Sequence, residues 1–396
     1  MAKIGSGKTK LRPGDFTLVV LTMGLVLFGV VMVFSSSYYY ALSHDGSAYS
    51  YLIRDVAWAV MGTAAMFIMA LIDYSKLKRA ALPLILLSIL MLVLVMVPGV
   101  GVTRNNATRW IGIGGFTIMP GEIAKVAAIL FVATFLAAKP DRIKHFTKGI
   151  LPLFFLAAVL GGLIMMQPNL STAITVVAII IVMMLVAGMH WGWVGGLFGL
   201  GVAGIFAILT VGKGSYWYDR LTSFSDPFKD FLGDGYQAAQ SLMALGSGGL
   251  FGVGLGKSIQ KTLYLPEPQN DFILAIIGEE LGFIGVAILL VVYMLLIWRG
   301  IHIALNAPDQ FGMLLAAGIT AMIGIQVILN VAVVTSSMPP TGITLPFVSY
   351  GGNALLIFMG SMGVMLNISR HSTAPVRKTG RSGGNGEDTG PKEEQV

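Results

Sequence analysis

Asp271-Phe-Ile-Leu-Ala-Ile-Ile-Gly-Glu-Glu-Leu-Gly-Phe-Ile-Gly-Val-Ala-Ile-Leu-Leu-Val-Val-Tyr-Met-Leu-Leu-Ile297 is the stretch that decides the fold. Only Asp271, Glu279 and Glu280 interrupt its apolar character. About 20 predominantly apolar residues are enough for an α-helix to cross a bilayer. Nine similar runs surround it, at 15–37, 52–72, 81–98, 121–138, 149–167, 171–188, 192–211, 310–336 and 349–369. The fifth and sixth are separated only by Pro168-Asn169-Leu170, a tight re-entry between two helices. The expected fold is therefore an all-α polytopic membrane protein with ten transmembrane helices.

Composition agrees. The 396 residues are 55% hydrophobic and 11% charged, with a mean hydropathy of +0.80. A soluble domain carries about 25% charged residues, and lipid is the solvent that makes so few charges sensible. The first apolar run is too long for a signal-peptide core and has no small-residue cleavage site after it. With no cysteine, disulfides, thiolate metal sites and cysteine nucleophiles are excluded. His44, His145, His190, His302 and His371 lack metal-ligand spacing.

The net charge of +7 is mainly a topology signal. Lys3, Lys8, Lys10 and Arg12, the loop with Lys76, Lys78 and Arg79, and the loop with Lys139, Arg142, Lys144 and Lys148 all fall on one side. So do Arg299 and the basic residues of the C-terminal tail. Fewer, spread over more loop, fall on the other. The positive-inside rule then puts both termini in the cytoplasm. No basic-aromatic stripe suggests nucleic acid. The chain divides into a cytoplasmic tail at 1–14, a membrane domain at 15–370, and a Gly/Ser/Glu/Lys-rich tail at 371–396 expected to be disordered. Within the domain, 212–270 is a large extracytoplasmic loop between the seventh and eighth helices. Its many aromatic residues favour a structured, partly membrane-apposed cap.

Two phosphate-loop lookalikes fail. Gly5-Ser-Gly-Lys-Thr9 and Gly256-Lys257-Ser258 lack the upstream glycine, where Ala2 and Phe251 stand.

Ionisable residues at membrane depth are costly and each is a functional hypothesis. Glu122 and Lys125, three apart, share a helix face. They are either a structural ion pair or the lining of a polar cavity, and Glu279 and Glu280 raise the same choice. Tyr264-Leu-Pro-Glu-Pro-Gln-Asn-Asp271 approaches the membrane stiffened by two prolines. Asn270 or Asp271 could simply cap the next helix. Alternatively Asp271, poorly solvated at the interface, has a raised pKa and serves as a general base. Arg104 and Arg109 precede Trp110-Ile-Gly-Ile-Gly114. They are interfacial anchors or a grip on phosphate.

The chain resembles the SEDS family (shape, elongation, division and sporulation), the group of FtsW, RodA and SpoVE, over roughly residues 15–370. The motifs are Arg109-Trp110-Ile111, Pro120-Gly-Glu122-Ile-Ala-Lys125, Gln167-Pro-Asn-Leu-Ser-Thr172, and Tyr236-Gln237 followed by Gln240-Ser241. They continue with Gly248-Gly-Leu-Phe-Gly-Val-Gly-Leu-Gly256, Leu265-Pro-Glu-Pro-Gln-Asn-Asp271-Phe and Pro340-Thr-Gly-Ile-Thr-Leu-Pro-Phe-Val-Ser-Tyr-Gly-Gly352. The Thr335-Ser-Ser-Met-Pro-Pro-Thr-Gly-Ile-Thr344 stretch looks closer to the division and sporulation branch, and FtsW is the preferred likeness. Asn169 stands where the family often has aspartate, Met119 and Gly121 where Gln and Ser are usual, and Asn353 where Ser is frequent.

The resemblance implies a peptidoglycan glycosyltransferase that polymerises lipid II, an undecaprenyl-pyrophosphate-linked disaccharide-pentapeptide, during septal wall synthesis at the division septum of the bacterial cytoplasmic membrane. Asp271 matches the catalytic acid and would act as general base in an inverting transfer. Arg109 and Lys257, with Arg220 behind them, would steady the pyrophosphate. Glu267 and Gln237 join them as substrate-binding residues, and Glu122, Lys125, Glu279 and Glu280 shape the cavity. The implied partners are a class B penicillin-binding protein transpeptidase, other division proteins and membrane lipid. A divalent cation, Mg or Mn, is implied by the resemblance alone, with no ligand set visible in the sequence. A lipid II flippase and a non-catalytic scaffold are the alternative functions.

Overall fold

The computed structural model describes residues 13–372 except 105–106, 114–115, 197–198, 200–209, 211–225, 230, 232 and 234. It is mostly helical, as expected. In chain order the elements are α1 (Phe16–Asp45), α2 (Ser50–Leu71), α3 (Ala81–Leu94), β1 (Gly101–Arg104), β2 (Ala107–Ile113), β3 (Phe116–Ile118), α4 (Pro120–Ala138), α5 (Leu151–Met165) and α6 (Leu170–Val186). They end with α7 (Tyr236–Gly248), α8 (Ile273–Leu305), α9 (Gln310–Val334) and α10 (Gly352–Arg370).

Eight helices among the described residues are long and apolar enough to cross a membrane, and α6 is a shorter apolar helix. The seventh expected run, 192–211, lies mostly outside the described residues. So do most of both tails and the first part of the 212–270 loop.

Helix ends follow local chemistry. Asp15 caps α1 by accepting from the Leu18 amide at 3.0 Å and pairs with Arg299 at 2.6 Å. Asp309 caps α9 through the Gly312 amide at 2.8 Å. Asn169 caps α6 through the Thr172 amide at 3.3 Å, so the amide performs the cap without a charge.

Most of α4, α9 and α10 is buried, whereas α2, α3 and the far end of α8 turn apolar side chains outward. α2 and α10 run parallel and close. A Cβ on Gly62 would strike Met359, one on Gly352 would strike Trp58, and one on Gly363 would strike the Met66 carbonyl. Small residues let membrane helices approach this way.

Two features depart from the expected helices and loops. Strands β1, β2 and β3 form an antiparallel sheet in the order β1-β2-β3, with Val102 opposite Trp110 and Gly112 opposite Thr117. Helix α8 is broken at Gly282, whose φ is +69°. The break frees main-chain groups that segment 249–254 takes up. Val253 and Gly254 donate to the Glu279 and Glu280 carbonyls at 2.9 and 3.0 Å, while Phe283 and Ile284 donate to Gly249 and Leu250 at 2.9 and 3.1 Å. Irregular backbone at membrane depth persists only where such partners exist.

Candidate active site

Asp271 stands just before the first turn of α8. The helix is capped at Phe272 with no side-chain hydrogen bond, so the Asp271 carboxylate is not consumed by capping. Its main chain is held instead. Asn330, fully buried in α9, donates to the Asp271 carbonyl at 3.0 Å and to the Ile343 carbonyl at 2.8 Å. One amide thus ties the head of α8 to the Pro340–Gly352 segment. The Tyr350 amide adds a second tie, donating to Gln269 at 2.9 Å. The Ser171 hydroxyl adds a third, donating to the Thr341 carbonyl at 2.7 Å.

Gly342 lies between the two charged groups. Its φ is +71°, and a Cβ there would stand 3.3 Å from both Asp271 Oδ2 and Arg109 Nη1. Arg109 reaches this position from β2. Its Nε donates to the Gln167 carbonyl at 3.4 Å and its Nη2 to the Pro168 carbonyl. The tight α5–α6 turn is therefore the mount for the guanidinium. Glu267 completes the group with φ +47°, a conformation that side-chain-bearing residues rarely hold and that often marks functional sites. Its carboxylate accepts from Asn270 at 2.8 Å. Burial and the nearby Glu267 charge push the Asp271 carboxyl up, the Arg109 charge pulls it down, and the balance lies at about 6. Desolvation and a like charge both disfavour ionisation.

The other expected site residues lie elsewhere. Glu122 and Lys125 form a buried ion pair at 2.7 Å, with Lys125 also donating to Gln326 at 3.0 Å and lying 5.5 Å from the centre of the Phe358 ring. Glu279 accepts from the Ser258 hydroxyl and from the Ile259 amide at 2.9 Å, holding the glycine-rich segment down. Glu280 pairs with Lys261 at 2.6 Å, and the Ser35 hydroxyl joins both. Lys257 is exposed on the glycine-rich segment, with its amide on the Gly254 carbonyl. Gln237 is exposed on α7. Arg220 lies outside the described residues. The structure thus gathers Asp271, Glu267 and Arg109, makes Glu122–Lys125 a buried pair within α4 that reaches α9 through Gln326, and makes Glu280–Lys261 a buried pair that reaches α1 through Ser35.

Sequence reasoning missed Asn330, Gln326, Gly342 and the partnership of Lys261. A signal for the amides existed, since Gln326 and Asn330 are polar residues inside an apolar run. Nothing local marks Lys261.

A divalent cation would need donors. Among the described residues no three His, Cys, Asp or Glu converge, and of the two neighbouring carboxylates, Glu267 and Asp271, the second already has the Arg109 charge beside it. These residues do not make a protein-only cation site.

The FtsW/RodA/SpoVE cell cycle protein family matches residues 16–374. This chain belongs to that family. Among its FtsW/RodA/SpoVE relatives, stage V sporulation protein E of Bacillus subtilis (strain 168) is 43% identical over 92% of this chain and 99% of its own length. A probable peptidoglycan glycosyltransferase FtsW of Geobacter sp. (strain M18) is 41% identical over 90% and 98%. The Thermus thermophilus rod shape determining protein RodA has the same fold, with a TM-score of 0.67 at 28% identity over 91% of this chain and 98% of its own. A chain of a peptidoglycan synthase complex, studied for how polymerization and crosslinking are coordinated, superposes with a TM-score of 0.75 at 28% identity over 91% and 99%.

Proposed function

We propose that this protein is a peptidoglycan glycosyltransferase that polymerises lipid II, with Asp271 as general base. The observation that carries the reading is a carboxylate of raised pKa at the head of a membrane helix, one glycine away from an arginine. The names of the FtsW relatives support the reaction class.

In this reading Asp271 accepts the proton of the acceptor sugar's 4-hydroxyl. That oxygen attacks the anomeric carbon of the lipid-linked strand, the glycosidic C–O bond forms, and undecaprenyl pyrophosphate departs from the opposite face. One displacement inverts the anomeric centre. A pKa near 6 leaves the base mostly ionised at neutral pH yet basic enough to take a proton, which is where general-base catalysis works best. Arg109, aimed by two carbonyls, stabilises the charge developing on the departing pyrophosphate. Glu267 holds the Asp271 pKa up.

Topology belongs to the same proposal. The basic loops face the cytoplasm with both termini, and the Asp271 end faces outward, where the head of lipid II is found. The synthase-complex relative supports pairing with a class B penicillin-binding protein, and the FtsW and SpoVE relatives support a role in division or sporulation septa. The test is glycan formation from purified lipid II in detergent, resolved by gel. We expect polymer with the native chain and none with Asp271→Asn. Polymer of normal length and rate from that variant would remove the assignment.

A further inference from the structure

We propose that the cavity where α4 ends and α5 begins, at the far end of the bundle from Asp271, binds the phosphate headgroup of an anionic membrane lipid. This inference does not depend on the chemistry at Asp271. The cavity measures about 740 Å³, and Phe135, Lys139, Arg142, His145, Lys148 and Pro152 are among its lining residues. That volume is in the range of about 300–1,000 Å³ usual for small-molecule sites.

Three permanent cations and a histidine converge here. The acid of the lining, Asp141, is taken up by Lys144 at 2.8 Å on the exposed side. A charge serving only as a topology signal needs nothing but water around it. Here Arg142 is instead held in a shaped wall, with Lys139, His145 and Lys148 exposed around it. A tight turn at Pro140–Lys144 and a wide π-turn at Phe146–Ile150 close on each other at Gly149, where a Cβ would meet the Arg142 carbonyl at 2.0 Å. Arg142 is half-buried. Its guanidinium lies 4.7 Å from the centre of the Phe135 ring and donates to the Phe135 carbonyl at 3.4 Å. An arginine so stiffened presents its remaining N–H groups in a fork suited to phosphate oxygens.

The level of the cavity selects the source of the phosphate. It sits where two membrane helices turn, the depth of lipid headgroups, and Phe146 beside it stacks on Trp193 at 4.9 Å in the manner of an interfacial aromatic belt. Basic pockets between membrane helices at this level take anionic headgroups. A phosphodiester brings one negative charge to the cations while its acyl chains stay in the bilayer.

The full chain, purified in detergent, is exchanged into a mixture of phosphatidylglycerol and phosphatidylcholine and weighed by native mass spectrometry. Phosphatidylglycerol should be retained over phosphatidylcholine by about tenfold. Lys139→Gln, Arg142→Gln and Lys148→Gln combined should abolish the preference. Asp141→Asn with Lys144→Gln, which removes that ion pair whole, should leave it unchanged. A photoactivatable phosphatidylglycerol should label residues 135–152 of the native chain. No preference in the native chain, or labelling that avoids 135–152, overturns the proposal whether or not the triple variant folds. Displacement of the lipid by millimolar inorganic phosphate, with phosphate protecting 135–152 from labelling, would mark a soluble-anion site and overturn it as well.

Discussion

At neutral pH Asp271 carries a charge that its surroundings disfavour, and the cost has a sign that can be checked. Its folded pKa of about 6 lies above the ordinary 3.8. The protonated form is favoured by folding, so stability is full below about pH 4 and declines as pH rises through 6. Asp271→Asn should therefore melt higher than the native chain at pH 7.5, with the gap closing below pH 4, while its polymerase activity falls by about 10²–10⁴-fold. Thermal melts and lipid II assays on the same preparation read both. In the native chain kcat/KM should drop about tenfold per pH unit below 6. Glu267→Gln removes a like charge and should slide that limb to lower pH, a shift visible in the pH–rate profile. Asp271, Glu267 and Arg109 could all be singled out in the sequence, because charge beside the membrane is conspicuous. Lys257 and Gln237 were equally conspicuous there yet stand exposed, because sequence says that a group is polar without saying which way its backbone will turn it.

At the scale of the element, the break in α8 and the segment bonded to it form one unit. A Cβ at Gly282 would stand 2.3 Å from the Gly252 nitrogen and 2.5 Å from the Leu250 carbonyl, at a φ that L-residues resist. Gly282→Ala should lower the melting temperature sharply and cut the yield of folded protein. Gly246→Ala, inside α7 with open space around its Cα, should be neutral or stabilise by up to about 1 kcal/mol. Parallel melts in detergent compare them. The apolar runs located the helices, since a bilayer imposes a length, and the starts of α1 and α9 at the caps Asp15 and Asp309 agree with them, while α1 and α8 continue past the apolar runs to Asp45 and Leu305. The sheet at 101–118 was missed. Gly114-Gly115 is a two-residue hairpin signal, but three short strands carry little periodicity beside the long hydrophobic stretches on either side.

At the scale of the molecule, two buried ion pairs each reach a neighbouring helix through a polar side chain, Gln326 of α9 for Glu122–Lys125 and Ser35 of α1 for Glu280–Lys261. Removing one member of Glu122–Lys125 leaves the other stranded, so Lys125→Met alone should cost about 3–5 kcal/mol. Glu122→Gln with Lys125→Met should recover most of that, and a double-mutant cycle on melting temperatures measures the coupling. The spacing of Glu122 and Lys125 showed that they could meet. That Gln326 and Phe358 would receive Lys125, or that Ser35 would receive Lys261, depended on which helices became neighbours, and composition is silent on that. The length of α8 reaches furthest. From Arg299, paired near the cytoplasmic boundary in the proposed topology, to Ile273 the helix rises about 39 Å before its break is allowed for, against a hydrocarbon layer of about 30 Å. In the proposed mechanism the helix is a ruler that holds the Asp271 carboxylate within about 10 Å of the lipid tails. In that reading only the few sugars close to a pyrophosphate anchor come so low, each new unit enters at the membrane, and the finished polymer rises from it like a thread drawn off a spool.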